Sequence, residues 1–544
     1  MENENFSNYN IVQPLLLSAC VAVGMMLGYK LNNKPENSLF STVEIQNDTD
    51  LKTGRVEELL RFIENKYVDT IDSELLIDEA AQAIFSKLDP HSLYLSPRDV
   101  QDAADQMDGA YSGIGIENYF IDDTVNISKI LPQGSAKGAG LKVFDQIISI
   151  DGKKVAGQKM QYADIRELLR KENGTDVTIS ILRNKIPMQF TMQVASIPVK
   201  TVHARLLPEM ETAVIKIDRF GSNTYKEFME EVEKLFGDKK AKHLILDLRD
   251  NPGGILPEAT NILCQIFEEK ERLLLFTEGR NNKRNEYKSN GKRFFPIEKV
   301  VVLIDENSAS ASEIIAGAIQ DWDRGFVIGR RSFGKGLVQE QYDLNNGGAI
   351  RLTVAKYYTP SGRSIQRDYS SRDQYDDDLS NRYEHGDYFH KDSSLVKNDS
   401  KYQTLLLKRP VSGAGGITPD IFISMPEIYK DPKAMLIKSY LPEFVFQYVA
   451  RKQKIMAEAN SANVLPLNKE IYTALHKFLT NKKDEFPNER DIPDLKGFEK
   501  EIKSLIQVLT APNDPNNEKY EDDEFVQSAI DVILTSKTLE KPKK

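Results

Sequence analysis

The sequence predicts a multidomain α+β protein in which a small β-rich module precedes an α/β core and a helical C-terminal region. At 544 residues the chain is long enough for about three or four domains. Residues 99–198 alternate short β-like runs with glycine turns, whereas residues 199–426 alternate continuous apolar strands with helices. Continuous apolar strands are typical of a sheet covered on both faces, and helical spacing then extends over residues 427–544.

The N-terminus predicts a membrane anchor. After a polar tail (residues 1–10), residues 11–31 contain about 19 successive uncharged residues, near the length of a membrane helix, and residues 32–50 form an Asn-rich linker. Leu17-Ser18-Ala19-Cys20 is similar to a lipoprotein cleavage box, but the apolar run continues beyond Cys20, which favours a signal anchor over a lipid-modified or buried segment. The flanking charges, Glu2 and Glu4 before the run and Lys30 and Lys34 after it, weakly favour a cytoplasmic location for the residues that follow, so the orientation must be decided from function.

Composition limits the partners. The net charge of −10 disfavours broad electrostatic binding to nucleic acid. The two cysteines, Cys20 and Cys264, are far apart in sequence, so they provide neither a disulfide framework nor a zinc-ligand cluster. We expect no metal and no other cofactor.

Two further segments differ in pattern from the residues around them. Residues 51–98 have the spacing of two or three short amphipathic helices and end in the turn-rich "LDPHSLYLSP". Within residues 199–426, the stretch 367–394 is rich in Asp, Tyr and Ser, and predicts a mobile insertion.

A near-match to a phosphate-binding loop draws attention to Lys335. "GRRSFGKG" (329–336) satisfies G-x-x-x-x-G-K, but Gly336 stands where a Ser or Thr would bind magnesium. The next residues, "GLVQEQYDL", are typical of a strand, whereas a phosphate loop needs a helix to start there. A nucleotide-using enzyme is therefore disfavoured.

A second motif offers a nucleophile. "VVVLIDENSASASEIIAGAIQ" predicts a buried strand, a turn of small residues and a helix, so Ser308, Ser310 and Ser312 are candidates. A lysine can activate a serine when burial disfavours the ammonium form, and apolar residues flank Lys335. The alternatives are a simple helix cap for the serines and a solvated charge for the lysine, because separation in sequence does not establish contact.

The stretch "SASASEIIAGAIQDWDRGFVIGRRSFGKGLVQ" resembles the active-site region of the carboxyl-terminal processing peptidases, or tail-specific proteases, of the S41 serine peptidase family. "LILDLRDNPGG", "GAGGITPDIFI" and "LDPHSLYL" resemble further motifs of that family, over about residues 50–425. The resemblance implies a ClpP/crotonase-like α/β core with Ser310 as nucleophile, Lys335 as general base and Gln339 as its supporting residue. It also implies an oxyanion hole from the Ala311 N–H and that of Gly253 or Gly254, with a structural role for Glu313.

"YSGIGIENYF" and "ILPQGSAKGAGLKVFDQIISIDG" resemble a PDZ domain, which implies capture of a peptide C-terminus on an exposed sheet edge. The peptide-binding residues that this resemblance implies are Gly113, Ile114, Gly115, Ile116, Tyr162, Ile165 and Leu169. Phe144 stands where such domains usually have a glycine, which predicts an altered turn. Alternatively, Gly113 and Gly115 do not bind a peptide and only relieve a tight turn.

These features predict a membrane-anchored serine endopeptidase that recognises protein tails with apolar C-termini and faces the bacterial periplasm. The alternative is a catalytically silent PDZ scaffold that retains a peptidase-like core. The helices after residue 427 are expected to form a homo-oligomer interface, a lid or an adaptor-docking surface.

Overall fold

The computed structural model describes residues 54–391, 402–413, 415–458, 469–510 and 523–535. The chain divides into two compact units, residues 1–97 with 339–352, and residues 98–338 with 353–544. Among the described residues, no helix is both long and apolar enough to cross a membrane. The predicted tail, anchor and linker (residues 1–50) lie outside the described part of the chain.

The first unit contains the two helices that the apolar spacing predicts. These are α1 (Gly54–Lys66) and α2 (Ser73–Phe85), and the side chain of Asp72 caps α2 by accepting a hydrogen bond from the Leu75 N–H. Strand β1 (Leu93–Leu95) pairs antiparallel with the start of β18 (Ala349–Tyr358), with Leu95 opposite Ala349.

The β module begins the second unit. Helix α3 (Pro97–Asp108) leads into the module. The strands of the module are β2 (Ala110–Gly113), β3 (Ile116–Ile121), β4 (Thr124–Ile130), β5 (Gln146–Ile150), β6 (Lys153–Lys154), β7 (Asp176–Arg183), β8 (Ile186–Gln193) and β9 (Ala195–Pro198). The main sheet has the order β3-β4-β5-β7-β8, so β3 lies at an edge of the sheet formed by the described residues. Two helices, α4 (Ser135–Ala139) and α5 (Tyr162–Leu169), accompany this sheet, and β2 pairs with β9.

The α/β core is built on a six-stranded sheet. Its order is β10 (Val202–Leu207), β11 (Thr212–Ile217), β12 (His243–Asp247), β15 (Val300–Ile304), β16 (Phe326–Gly329) and β21 (Ile421–Phe422). All neighbours pair parallel except β10 and β11. Helices α6 (Thr224–Val232), α7 (Leu256–Ile266) and α8 (Ala311–Asp321) connect the strands, and a buried apolar cluster includes side chains from both the strands and these helices.

Both faces of this sheet are covered, as the continuous apolar strands predict. All five residues of β15 are buried. The second face packs against the last described helix, α14 (Glu524–Thr535), through Val526, Ala529 and Ile533. The end of the predicted helical region therefore completes the α/β core, which the local helical pattern of that segment could not reveal.

Smaller strands extend the core. Strand β13 (Leu273–Glu278) pairs with β14 (Asn285–Lys288) and with the end of β18, where Phe276 lies opposite Tyr358. Strand β17 (Leu337–Asp343) pairs with β18, and the short strands β19 (Tyr402–Gln403) and β20 (Pro410–Val411) pair with each other.

The segment predicted as a mobile insertion is packed in its described part, residues 367–391. It forms the short helices α9 (Arg372–Asp376) and α10 (Asp378–Glu384). Its composition is polar, but Tyr375, Arg382 and Tyr388 are buried. The difference arises because those side chains find partners distant in sequence.

The remaining C-terminal helices form their own apolar core. They are α11 (Pro432–Glu458), α12 (Lys469–Thr480) and α13 (Glu499–Thr510). Phe446 of α11 contacts the rings of Phe144 and Tyr119 in the β module, at centroid distances of 5.0 and 5.1 Å. Phe144 has φ +71°, a left-handed conformation that explains why a glycine is usual there. The Phe144 side chain in this turn thus makes an aromatic contact with the C-terminal helical region.

Candidate active site and peptide-binding edge

The carboxyl ends of β12 and β15 bring two loops together. Because these strands are parallel neighbours, with Asp247 opposite Leu303, the segments 248–254 and 305–310 leave the sheet at the same edge. The Ala309 N–H donates to the Asn251 carbonyl at 3.0 Å, which joins the two loops directly. The glycine-rich segment and the serine turn therefore form one site.

The environments of the three candidate serines differ. The Ser308 hydroxyl donates to the Leu248 carbonyl at 2.8 Å, and the Ser312 hydroxyl donates to the Asn251 carbonyl at 3.0 Å. Both side chains are fully buried, and their hydroxyl groups hydrogen-bond the turn to the glycine-rich segment. Ser310 is only half-buried, so it is the serine of this turn best placed to meet a substrate.

Ser310 also has an unusual backbone. Its φ of +52° and ψ of −111° lie outside the regions that non-glycine residues favour, at the junction of the turn with α8. Such a conformation costs about 1–3 kcal/mol and persists only where the surroundings enforce it. Strain at a strand-to-helix turn is a feature of serine nucleophiles that project into a cleft.

The glycine-rich segment lies against Ser310. A Cβ placed on Gly253 would be 2.7 Å from the Ser310 Cβ and 3.0 Å from the Ala311 N, so only glycine fits without a shift. The Gly253 N–H donates to the Asn251 Oδ1 at 2.8 Å. No hydrogen-bond acceptor for the N–H of Gly254 or Ala311 is found in the part of the chain that the structure describes. Of the two candidate glycines, Gly254 is thus the one whose N–H remains available.

Asn251 is a site residue that the sequence motifs did not single out. Its side chain is fully buried, accepts from Gly253 and donates to the Ile217 carbonyl at 2.7 Å. An asparagine followed by Pro-Gly-Gly is a turn signal, and this signal could have identified Asn251 as the residue that shapes the glycine segment.

Glu313 connects the serine to the lysine. Its buried carboxylate accepts the Ser310 and Lys335 N–H groups on Oε2, at 2.8 and 2.9 Å. Its Oε1 accepts the Ser332 hydroxyl and the Gly334 N–H, at 2.5 and 2.7 Å. Ser310 and Lys335, which are 25 residues apart in sequence, are therefore held by the same carboxylate oxygen. The predicted structural role of Glu313 agrees with this arrangement.

Tyr357 supports the same two residues from their carbonyl side. Its hydroxyl lies 2.6 Å from the Lys335 carbonyl and 3.2 Å from the Ser310 carbonyl. The ring is buried, and burial raises the pKa of Tyr357 well above its usual value, so the hydroxyl keeps its proton. Lys335 itself is half-buried, whereas Leu337 beside it is buried.

Gln339 belongs to the first unit. Its amide donates to the main-chain carbonyl of His91, within the "LDPHSLYL" segment. The role of Gln339 as a support for Lys335 stays a prediction.

Burial raises the pKa of Glu313 to about 7 from the ordinary 4.5, and its four donors lower it only in part. Because the folded protein binds this proton more tightly, the group contributes stability that is present below pH 4.5 and lost as the pH rises through 7. At 1.36 kcal/mol per pKa unit, the loss is about 3 kcal/mol. We expect urea unfolding of wild type, measured across this pH range, to show this loss of stability, and we expect Glu313→Gln to lack it. Identical pH profiles of stability for the two proteins would contradict the raised pKa of Glu313.

The predicted peptide-binding residues surround β3. Gly115 has φ +80°, and a Cβ there would be 2.4 Å from the Gly134 Cα, so the turn needs a glycine. Ile114, Ile116 and Ile165 belong to the buried core of the module, and Leu169 packs partly against it. Tyr162 at the start of α5 is exposed and lies 5.7 Å, between ring centroids, from Phe120 of β3. Among these side chains, Tyr162 is the one that offers a surface to a ligand.

Tyr111 lies at the open edge of β3. The Gly115 carbonyl accepts from the Leu131 N–H and so faces β4, which turns the Ile116 carbonyl towards the open edge. The Tyr111 hydroxyl lies 3.4 Å from that Ile116 carbonyl. Burial raises the pKa of Tyr111 to about 12, so the hydroxyl stays protonated and able to donate.

Comparison with known proteins relates both parts to described families. The model for peptidase family S41 matches residues 211–374, and the model for a PDZ domain matches residues 127–183.

Over 342 residues the chain is 32% identical to the carboxy-terminal processing protease CtpB of Bacillus subtilis, covering 62% of this chain and 70% of that protein. It is 31% identical over 331 residues to the carboxy-terminal-processing protease of Bartonella bacilliformis, covering 60% and 75%. A solved structure, the photosystem II D1 C-terminal processing protease, is 24% identical with a TM-score of 0.36, covering 69% of this chain and 88% of that chain.

Proposed function

Since the chain belongs to peptidase family S41, among the carboxy-terminal processing proteases, we propose that Ser310 and Lys335 are its catalytic dyad. The observation that carries this proposal is the shared Glu313 oxygen, which accepts the N–H groups of both residues. The half-buried Ser310, between two serines whose hydroxyls are already bonded to carbonyls, supports the choice of nucleophile.

The chemistry follows from these positions. The neutral amine of Lys335 takes the proton from the Ser310 hydroxyl as Oγ bonds to the carbonyl carbon of the scissile peptide. The tetrahedral intermediate then collapses, the C–N bond breaks, and Lys335 returns the proton to the leaving amine. Water, deprotonated by Lys335, hydrolyses the resulting ester and restores Ser310. Gln339 serves in this proposal to orient the lysine amine.

The oxyanion of each tetrahedral intermediate needs donors that are already in place. The Ala311 N–H, at the start of α8, and the Gly254 N–H are the donors we assign, with Gly253 providing the space beside Ser310. In other acyl-transfer enzymes one such donor contributes about 3–4 kcal/mol of transition-state stabilisation.

Substrate tails are proposed to bind as an added strand on β3. Backbone N–H groups of the segment from Gly113 to Ile116 would receive the terminal carboxylate, and the Ile116 carbonyl would accept the N–H of the last residue. Tyr162, with Ile165 and Leu169 behind it, would line the opposite side. This supports selection of tails with a free carboxylate and apolar terminal side chains.

The location of the enzyme is proposed from the sequence. The apolar run at residues 11–31 would anchor the chain in a bacterial membrane, with the catalytic part on the extracytoplasmic, periplasmic side. Substrates would then be proteins of that compartment or of the membrane itself.

Tail binding offers a direct test of the proposed edge. The Tyr111 hydroxyl competes for the Ile116 carbonyl, so we expect Tyr111→Phe to tighten binding of an apolar-ended peptide by about 2- to 10-fold, the equivalent of one hydrogen bond. Fluorescence anisotropy measures the affinity for this peptide in a Ser310→Ala background, in which the peptide is not cleaved.

Two controls accompany this experiment. The same peptide with an amidated C-terminus is expected to bind weakly to every variant. Tyr119→Phe, which lies on β3 itself but packs against Phe446, is expected to bind like the parent. Equal affinity for the free and amidated peptides would remove the tail-binding proposal, and an unchanged affinity of Tyr111→Phe would remove the competing contact.

A further inference from the structure

The loop that carries Lys335 has few strand partners of its own. We define the lysine loop as residues 330–336, between β16 and β17. Glu313 accepts two of its N–H groups and the Ser332 hydroxyl. The N–H groups of Ser332 and Phe333 donate to the carbonyls of Ile417 and Ser308, at 3.1 and 3.0 Å, and the carbonyls of the loop need partners as well.

Tyr357 serves the carbonyls of Lys335 and Gly336, whereas those of Ser332, Phe333 and Gly334 accept hydrogen bonds from the segment that composition predicted to be mobile. Arg382 of α10 is 3% exposed, and its guanidinium donates to the carbonyls of Ser332 and Phe333 at 2.8 and 3.2 Å. The same group donates to the Gly415 carbonyl at 3.1 Å and pairs with Asp378 at 2.8 Å. A guanidinium buried in this way is stable only because each of these partners is present.

Two further contacts extend this support along the loop. The Arg367 N–H donates to the Gly334 carbonyl at 3.0 Å, and its guanidinium lies 3.9 Å from the Phe333 ring centroid and 3.8 Å from that of Tyr375. Arg331 forms an ion pair with Asp387 at 2.7 Å. Each of the four residues that precede Lys335 is thus contacted by residues 367–391, which we call the brace.

We propose that the brace is a positioning element for Lys335, with Arg382 as its central residue. Glu313 accepts the N–H groups of Gly334 and Lys335, and the brace donates to the carbonyls of the three residues before Lys335, so together they set the peptide planes that lead into Lys335. Arg382 does not touch the reacting atoms. The proposal rests on the assignment of Lys335 as the general base.

The effect of the brace on rate follows from geometry. A displacement of about 1 Å at a catalytic group can lower a rate about 10²-fold. Loosening the lysine loop moves the base relative to Ser310 without altering the β3 edge where tails are proposed to bind. The brace should therefore govern kcat and leave KM nearly constant.

The test uses the full chain with Arg382→Lys, which keeps the charge but cannot reach three carbonyls with a planar fork. We expect kcat on an apolar-ended peptide to fall at least tenfold, with KM within twofold. Labelling of Ser310 by a fluorophosphonate is expected to slow by a similar factor, and the ascending limb of the pH–rate profile to move.

Asp387→Asn provides a second variant, because it weakens only the half-buried pair with Arg331 and is expected to fold normally. Its kcat is expected to fall by about two- to fivefold. Arg372→Gln is the matched control, since this exposed arginine of α9 pairs with Asp376 and does not contact the lysine loop. Its kcat is expected to equal that of wild type.

The outcomes distinguish a failure of the brace proposal from a failure of the Ser310–Lys335 assignment. If folded Arg382→Lys keeps the wild-type kcat and labelling rate while Ser310→Ala is inactive, the brace proposal is wrong and the dyad stands. If Arg382→Lys does not fold, a wild-type kcat for Asp387→Asn also overturns the brace. If Ser310→Ala or Lys335→Met remains active, the dyad fails first, whatever the brace variants show.

Discussion

Ser310→Ala is expected to lower kcat for peptide hydrolysis by roughly 10⁴- to 10⁶-fold, the range found when single catalytic residues are removed from another serine peptidase. Lys335→Met keeps the length and apolar stem of the side chain but removes the amine. Its kcat is expected to fall by at least about 10²- to 10⁴-fold, the usual contribution of a general base. Because the two residues act as a unit, the double variant is expected to be no slower than the slower single variant.

Ser308→Ala is the control for this experiment. The fully buried Ser308 hydroxyl donates to the Leu248 carbonyl and accepts the Asp305 N–H at 2.9 Å, so its loss is expected to lower the free energy of unfolding by about 1–3 kcal/mol. The kcat of the folded variant is expected to remain within a few-fold of wild type. Loss of activity on Ser308→Ala together with retention on Ser310→Ala would reassign the nucleophile within the turn.

Glu313→Gln is expected to have the second large effect. The carboxylate accepts four donors on two oxygens, whereas an amide offers one oxygen and would direct its own N–H groups at two of the donors. Two buried donors then lack an acceptor, at about 1–3 kcal/mol each, so the free energy of unfolding is expected to fall by about 2–6 kcal/mol. Since Ser310 and Lys335 share the disrupted oxygen, kcat is expected to fall at least tenfold as well.

A matched substitution at a second glutamate tests whether the losses in Glu313→Gln come from its hydrogen bonds or from removal of a buried negative charge. Glu258 is partly buried, and burial raises its pKa, but among the residues that the structure describes it accepts only the Tyr225 N–H, at 2.6 Å. A glutamine oxygen can still accept that single bond. Glu258→Gln is expected to lose less than about 1.5 kcal/mol and no activity. Urea unfolding and steady-state kinetics measured on both variants decide the matter; equal losses at the two positions would contradict the role given to Glu313.

The strand–helix order of the core could be predicted from sequence because buried parallel strands are continuous apolar runs. Strand β15 is the clearest case, since all five of its residues are apolar and buried. The turn after it was recognisable by its small residues. The choice among its three serines could not be made from spacing, because it depends on hydrogen bonds to residues 248–251, which are about 60 positions away.

Two other features depended on partners far along the chain. Residues 367–391 have the composition of a mobile segment, yet Arg382 is buried by carbonyls 33 to 50 positions away. Phe144 was expected to alter a turn, but nothing local indicates that its ring meets Phe446. Local composition reports the average environment of a segment and cannot report a specific long-range contact.

One measurement tests the central claim that a Ser310–Lys335 dyad cleaves proteins chosen by their tails. The full chain and its Ser310→Ala and Lys335→Met variants are each incubated with one unstructured protein that ends in apolar residues, with its C-terminus either free or amidated. Fragments are followed by mass spectrometry. The account predicts cleavage of the free-tailed protein by wild type, slower cleavage of the amidated one, and cleavage at least about 10²-fold slower by either variant. Cleavage by all three proteins at similar rates, or by none, would contradict it.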